Sequence, residues 1–221
     1  MKKFLASALS AALLLSALAG CSGSGSGSAS GSAPAGSGAS NGDKVVKIGV
    51  FEPASGDSAS GGKKEMLGMQ FANSETPTVE LGGETYQVEL VYADNGSSTD
   101  KAPSAASQLV SEGVSVVLGS YGSGVSIAAG PIFRDAGIPA MGVTCTNPNV
   151  TAGNDYYFRI CFLDPFQGTV LANFAQEKFS AKKAYLLGEL GNEYDQGLIT
   201  YFEQAFDGEV VKDSFPTNTS D

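Results

Sequence analysis

Val114-Ser115-Val116-Val117-Leu118 runs straight into Gly119-Ser120-Tyr121-Gly122-Ser123-Gly124, and a second apolar run, Ile138–Val143, follows a helical stretch over Gly122–Arg134. A short, continuously apolar strand is the kind covered on both faces. Two of them joined by a glycine turn and a helix make a parallel β–α–β unit with a right-handed crossover. Pro131 inside the helical stretch predicts a kink there. Working toward the N-terminus, Val45–Phe51 reads as a strand, Glu52–Gly62 as a loop, and Lys63–Asn73 as a helix carrying Met66, Met69 and Phe71. Gly82-Gly83 is a turn, and Tyr86–Ala93 alternates as a half-buried strand does. Asp100 is placed to cap a helix through Glu112, with Ala105, Leu109 and Val110 inward. Working toward the C-terminus, Tyr156–Phe162 reads as a strand and Asp164–Gly168 as a break. Then come a helix over Thr169–Phe179, a strand over Ala184–Leu190, a helix over Glu193–Phe206 and a strand over Glu209–Phe215. This alternation predicts an α/β fold of parallel sheet flanked by helices, with the loops after the strands on one ligand-binding edge.

The first residues belong to a different regime. Met1-Lys2-Lys3, the apolar stretch Phe4–Ala19 and Leu18-Ala19-Gly20-Cys21 read as a secretory signal, residues 1–20, too short to span a bilayer comfortably. Leu-Ala-Gly-Cys resembles the bacterial lipobox, which implies a lipidated Cys21 and a place on the extracytoplasmic face of the cell membrane. Residues 21–43 are almost wholly glycine, serine and alanine, with Pro34, and have nothing to bury. They predict a flexible tether with a root-mean-square reach of roughly 25 Å.

Charge and composition narrow the chemistry. The chain carries 13 basic and 23 acidic residues, a net charge of −10. Without Lys2 and Lys3 the balance is 11 against 23, or −12. An acidic head without a basic stripe is a poor partner for nucleic acid. Histidine is absent, which excludes a Ser-His-Asp triad and histidine-ligated metal sites. Cys145 and Cys161 are too few and too far apart for a metal knuckle, so neither metal nor cofactor is expected. Outside the cytosol they suit either a disulfide or two buried thiols.

The glycine run after Val114–Leu118 opens a helix, and backbone N–H groups with a serine hydroxyl at a helix N-terminus make an anion site. No lysine follows the glycines and the G-x-G-x-x-G spacing is missing, so the anion is a carboxylate rather than a pyrophosphate. Thr144-Cys145-Thr146-Asn147-Pro148 follows the next strand on the same edge, where two hydroxyls can converge with Ser123; Asn147-Pro148 also marks a turn. No Gly-x-Ser-x-Gly elbow surrounds Ser123, which speaks against a hydrolase.

Lys47-Ile48-Gly49-Val50, the Gly-Ser-Tyr-Gly-Ser run, Asp135-Ala136-Gly137-Ile138-Pro139, Thr146-Asn147-Pro148, Arg159 and Asp164-Pro165-Phe166-Gln167-Gly168 occur in an order and spacing that resembles the branched-chain amino-acid-binding proteins of ABC importers. These are type I periplasmic binding proteins, and the match runs from Val45 to the end. The resemblance implies two Rossmann-like lobes joined by three crossings, with an amino acid between them. It puts the N-terminal part of the first lobe at 44–162 and the N-terminal part of an incomplete second lobe at 163–221, whose apolar face around Leu186, Val210 and Val211 would be uncovered. It also implies a monomeric receptor that hands an amino acid to permease subunits in the membrane and performs no catalysis; a sensing module of the same fold is the alternative. Carried over by position, Ser123 binds the ligand carboxylate with the backbone beside it, Thr146 meets the carboxylate and the α-amino group, and the Thr144 carbonyl accepts from the ammonium. Tyr194 closes over the ligand from the second lobe. Tyr121, Gly122, Cys145 and Asp164 complete the implied set. Gly61 stands where leucine and valine binders often carry an aromatic residue, and Cys145 where a small one is usual.

Overall fold

The computed structural model describes residues 44–217 and 219. The signal, Cys21 and the tether lie outside the described residues. Among the described residues, eight strands and five α-helices largely alternate. Their central sheet has the strand order β2-β3-β1-β4-β5-β6. These strands are Val45–Glu52 (β1), Thr78–Leu81 (β2), Glu84–Asp94 (β3), Val116–Leu118 (β4), Ala140–Gly142 (β5) and Tyr157–Arg159 (β6). All neighbours are parallel except β2 and β3, which are antiparallel across the Gly82-Gly83 turn. The parallel strands β3 and β4 flank β1 on opposite sides, so the sheet changes direction beside β1 and leaves a crevice at the carboxyl ends of the strands.

Helices Ala59–Glu75 (α1), Ala102–Ser111 (α2) and Ser123–Asp135 (α3) belong to this sheet. Its core holds Phe51, Leu109, Val117 and Phe133, all fully buried. Phe51 and Phe133 meet edge-on, with ring centroids 5.5 Å apart, a favoured aromatic geometry. A second sheet pairs Lys183–Glu189 (β7) with Glu209–Phe215 (β8) in parallel, beneath Asp164–Phe179 (α4) and Glu193–Ala205 (α5). The two helices approach closely at Gly168, where an added Cβ would lie 2.7 Å from the Phe202 nitrogen. The face of β7 left uncovered is Tyr185 and Leu187, with Val211 on β8; Leu186 and Val210, expected there, are half-buried.

Several expectations shift. Helix α1 begins inside the stretch read as a loop. The Asp164–Gly168 stretch starts α4 instead of breaking the chain, because Pro165 occupies the first turn, where no N–H is required. Asp100 does not cap α2: the turn before it is closed by the carbonyl of Ser98, which accepts from Lys101 and Ala102. Strand β2, four residues long, is too short to show a periodicity in the sequence. Pro131 lies within α3, which runs on to Asp135. Cys145 and Cys161 are free thiols, not a disulfide. The Cys145 sulfur turns inward against Gly142 while Cys161 borders the cleft.

Candidate functional site

The loops after β1, β3, β4 and β5 meet the start of α5 around a cleft of about 840 Å³. Helix α3 points its N-terminus into it. Its N-cap is Gly122, which offers no side chain to the N–H groups of the first turn. Ser123 follows, 1% exposed, with its hydroxyl accepting from the Asn147 N–H at 3.1 Å. Thr146 also borders the cleft, and its Oγ1 is buried with no hydrogen-bond partner. A buried, unsatisfied hydroxyl costs about 1–3 kcal/mol, which a ligand oxygen or ammonium would offset.

Gly119 brings the β4 loop against β1. Its φ of +116° suits glycine, and a Cβ there would lie 2.6 Å from Glu52 Oε1. Glu52 sits at the carboxyl end of β1, 1% exposed, and its Oε2 accepts from the Tyr121 N–H at 2.7 Å. Glu65, on α1, faces it, and burial together with that neighbouring carboxyl pushes the Glu52 pKa up to about 10. The outer oxygen of Glu65 accepts from the Thr144 hydroxyl at 2.5 Å. The inner oxygens of both, Glu52 Oε1 and Glu65 Oε2, have no other partner. The outward oxygens of the two facing carboxyls hold the Tyr121 N–H and the Thr144 hydroxyl, and so brace both loops.

The remaining loops are braced by polar side chains. Asp94, at the end of β3, accepts from the Ser55 hydroxyl at 2.6 Å and from the N–H groups of Gly96 and Ala54, both at 2.8 Å. Burial alone would raise its pKa, but these bonds outweigh it and hold the carboxyl below its ordinary value. Asn95, fully buried, donates to the Ser120 hydroxyl at 2.8 Å. The guanidinium of Arg159 donates to the carbonyls of Cys145, Asn147 and Pro148 and to Thr151 Oγ1, at 2.6–3.1 Å, which pins the Thr144–Asn147 loop. Asn147 joins the two sheets: its N–H meets Ser123 on α3 and its side-chain amide donates to the Glu193 carbonyl at 2.7 Å on α5.

Of the residues singled out in the sequence, Tyr121, Gly122, Ser123, Thr144, Thr146 and Tyr194 border one cleft. The Tyr194 hydroxyl accepts from Gln167 at 2.8 Å. Cys145 and Asp164 do not border it. Cys145 is fully buried, and burial pushes its thiol up to about 11, which keeps it protonated. Asp164 is buried too, with both carboxylate oxygens unpartnered. Burial raises its pKa, and the Thr146 hydroxyl and Arg159 guanidinium partly counter this. Gly61 has its counterpart here: the Tyr121 ring lies where a Cβ at 61 would sit, 2.5 Å from two of its carbons. Glu52, Glu65, Asn95 and Gln167 went unremarked in the sequence. For Glu52 a signal existed, a charged residue ending a buried strand at the ligand edge.

The sequence profile of the periplasmic binding proteins matches residues 45–221. The chain belongs to the periplasmic binding protein family. Its fold is that of the type I members, a mostly parallel sheet with flanking helices. Among the curated relatives of this periplasmic binding protein is Leu/Ile/Val-binding protein homolog 2 of Brucella abortus, 30% identical over 69% of this chain and 41% of its own. Among solved structures, a leucine-binding protein from Thermotoga maritima is 33% identical over 80% of this chain and 50% of that one, with a TM-score of 0.75. The branched-chain amino acid transporter substrate-binding protein of Streptococcus pneumoniae, in complex with isoleucine, is 33% identical over 80% of this chain and 51% of that one, with a TM-score of 0.72. A Rhodopseudomonas palustris solute-binding protein of an ABC transporter, in complex with p-hydroxybenzoic acid, is 26% identical over 80% and 48%, with a TM-score of 0.68. The chain thus spans less than half the length of that curated relative and about half of these solved ones. The family is one of solute-binding proteins, not enzymes.

Proposed function

We propose that this chain is the ligand-capturing part of an extracytoplasmic solute-binding lipoprotein that takes an amino acid and delivers it to the permease of an ABC importer. Cys21 anchors it by lipid to the outer face of the cell membrane, the tether gives it reach, and residues 44–162 and 163–221 belong to two lobes. One observation carries the reading: at the mouth of α3 an uncapped helix N-terminus, the Ser123 hydroxyl and the unpartnered Thr146 hydroxyl border one cleft. That is the donor set a carboxylate needs. Asn147 supports the capture step, because it ties the residue beside that carboxylate site to α5 on the far side of the cleft.

Calorimetry of the complete gene product against the twenty amino acids tests this. Binding in the micromolar range or tighter is expected. Ser123→Ala and Thr146→Ala should each cost about 1.5–3 kcal/mol, the range for hydrogen bonds to a charged group. The same donors would accept an aromatic acid, as the R. palustris complex suggests, so 4-hydroxybenzoate belongs in the panel. If no amino acid binds and 4-hydroxybenzoate, a sugar or a nucleoside does, the reading is wrong.

A further inference from the structure

We propose that the cleft selects an amino acid with a cationic side chain over the aliphatic ones. This rests on the reading that the ligand is an amino acid whose carboxylate lies at the N-terminus of α3. With that end placed, the ligand's side chain must use the rest of the cleft. The neighbouring wall of the first lobe is built from Gly56–Ser58 and Gly96–Asp100, glycines, serines and a threonine with one aspartate in each loop and no aliphatic residue. Burying a methylene is worth about 0.8 kcal/mol only where apolar surface receives it, and this wall offers none.

The charge around the cleft points the same way. Asp57 and Asp100 border it from the first lobe, and Glu189 and Glu193 from the second. Among the described residues no lysine or arginine borders it. Lys101 lies outside this lining, its ammonium beside Gly96, 3.2 Å from where a Cβ would be. The apolar lining, Val125, Phe162 and Leu190, lies on α3 and in the loops after β6 and β7, and closing the cleft over isoleucine would still strip water from the carboxylates without pairing them, which is costly. Closing it over an ammonium or guanidinium pairs the charges, and charge-assisted hydrogen bonds are the strong ones. The faces of Tyr121 and Tyr194, which border the same cleft, are also surfaces that attract cations. The Thr146 Oγ1 at the cleft wall, in a residue only 6% exposed, has no hydrogen-bond partner by geometry, and beside the buried Asp164 carboxyl it is open to a ligand group.

Titration calorimetry on the complete gene product tests the proposal, with L-arginine, L-lysine, L-leucine, L-isoleucine, L-glutamate and 4-hydroxybenzoate as probes. Arginine or lysine is expected to bind at least tenfold more tightly than leucine and isoleucine, with glutamate weakest. Asp57 and Asp100 are exposed, so each of Asp57→Asn and Asp100→Asn should weaken the cationic ligand by about two- to fivefold, the scale of exposed ion pairs. Their combination should weaken it further, with leucine unaffected. Leucine, isoleucine or glutamate binding as tightly as arginine and lysine would overturn the side-chain assignment and leave the amino-acid function standing. An unchanged cationic affinity in the double variant would overturn it as well. Binding of 4-hydroxybenzoate without any amino acid, or of none of the probes, would overturn both.

Discussion

Replacing Glu52 by glutamine should stabilise the protein at neutral pH, by a margin that widens as the pH rises. Glu52 is 1% exposed beneath the Tyr121 loop, and burial with the facing Glu65 carboxyl pushes its pKa up to about 10. In an unfolded chain it titrates near 4.5. Between those values the folded protein keeps a proton that the unfolded chain has released. The contribution to stability is therefore fully present below about 4.5 and is lost progressively as the pH rises toward 10. One proton's difference corresponds to at most about 1.4 kcal/mol per pH unit. Between pH 6 and 8, wild type should thus lose up to about 3 kcal/mol relative to Glu52→Gln. For a domain of this size that is roughly 6–12 °C in unfolding midpoint. The glutamine keeps an oxygen for the Tyr121 N–H and supplies an amide donor to Glu65, so the geometry survives while the titrating proton is gone. Thermal unfolding of both proteins at pH 6, 7 and 8 measures the margin, and comparing them cancels the groups they share. Parallel pH profiles, or a variant less stable than wild type at pH 8, would refute the raised pKa of Glu52.

Three further outcomes follow from the packing and the anchor. Gly168→Ala should cost about 1–3 kcal/mol by overpacking, because its Cβ would meet the backbone of Tyr201 and Phe202; an unchanged midpoint would show that α4 and α5 are not in close contact. Arg159→Lys should destabilise by about 1–3 kcal/mol and weaken ligand binding, since a lysine cannot reproduce the fork that reaches three carbonyls and Thr151. Urea unfolding and calorimetry read the two effects, and equal stability in the variant would count against the pinned loop. Cys21→Ala should release the protein from the membrane fraction. Each buried methylene of an acyl chain contributes roughly 0.8 kcal/mol, and failure of wild type to take up a fatty-acid probe would refute the anchor.

The strand–helix alternation was readable residue by residue because it depends on neighbours in the chain. The apolar run Val114–Leu118, the glycines after it and the second run at Ile138–Val143 specify strand, turn and strand wherever they occur. The reading of Ser123 and Thr146 as convergent donors follows from the same logic, since both come just after such strands. What the linear order left open is what distant segments do to one another. A glutamate at 52 looks like any other until Glu65 on α1 faces it and the Gly119 loop covers it. Asn147 looks like a turn residue until α5 brings the Glu193 carbonyl to its amide. Cys145 and Cys161 were open to a bridge until the backbone turned one sulfur into the core and left the other at the cleft. Burial and proximity set the cost of a charge and the strength of a hydrogen bond. Both come from contacts between segments far apart in sequence, so only the tertiary structure decides which polar residues form the site.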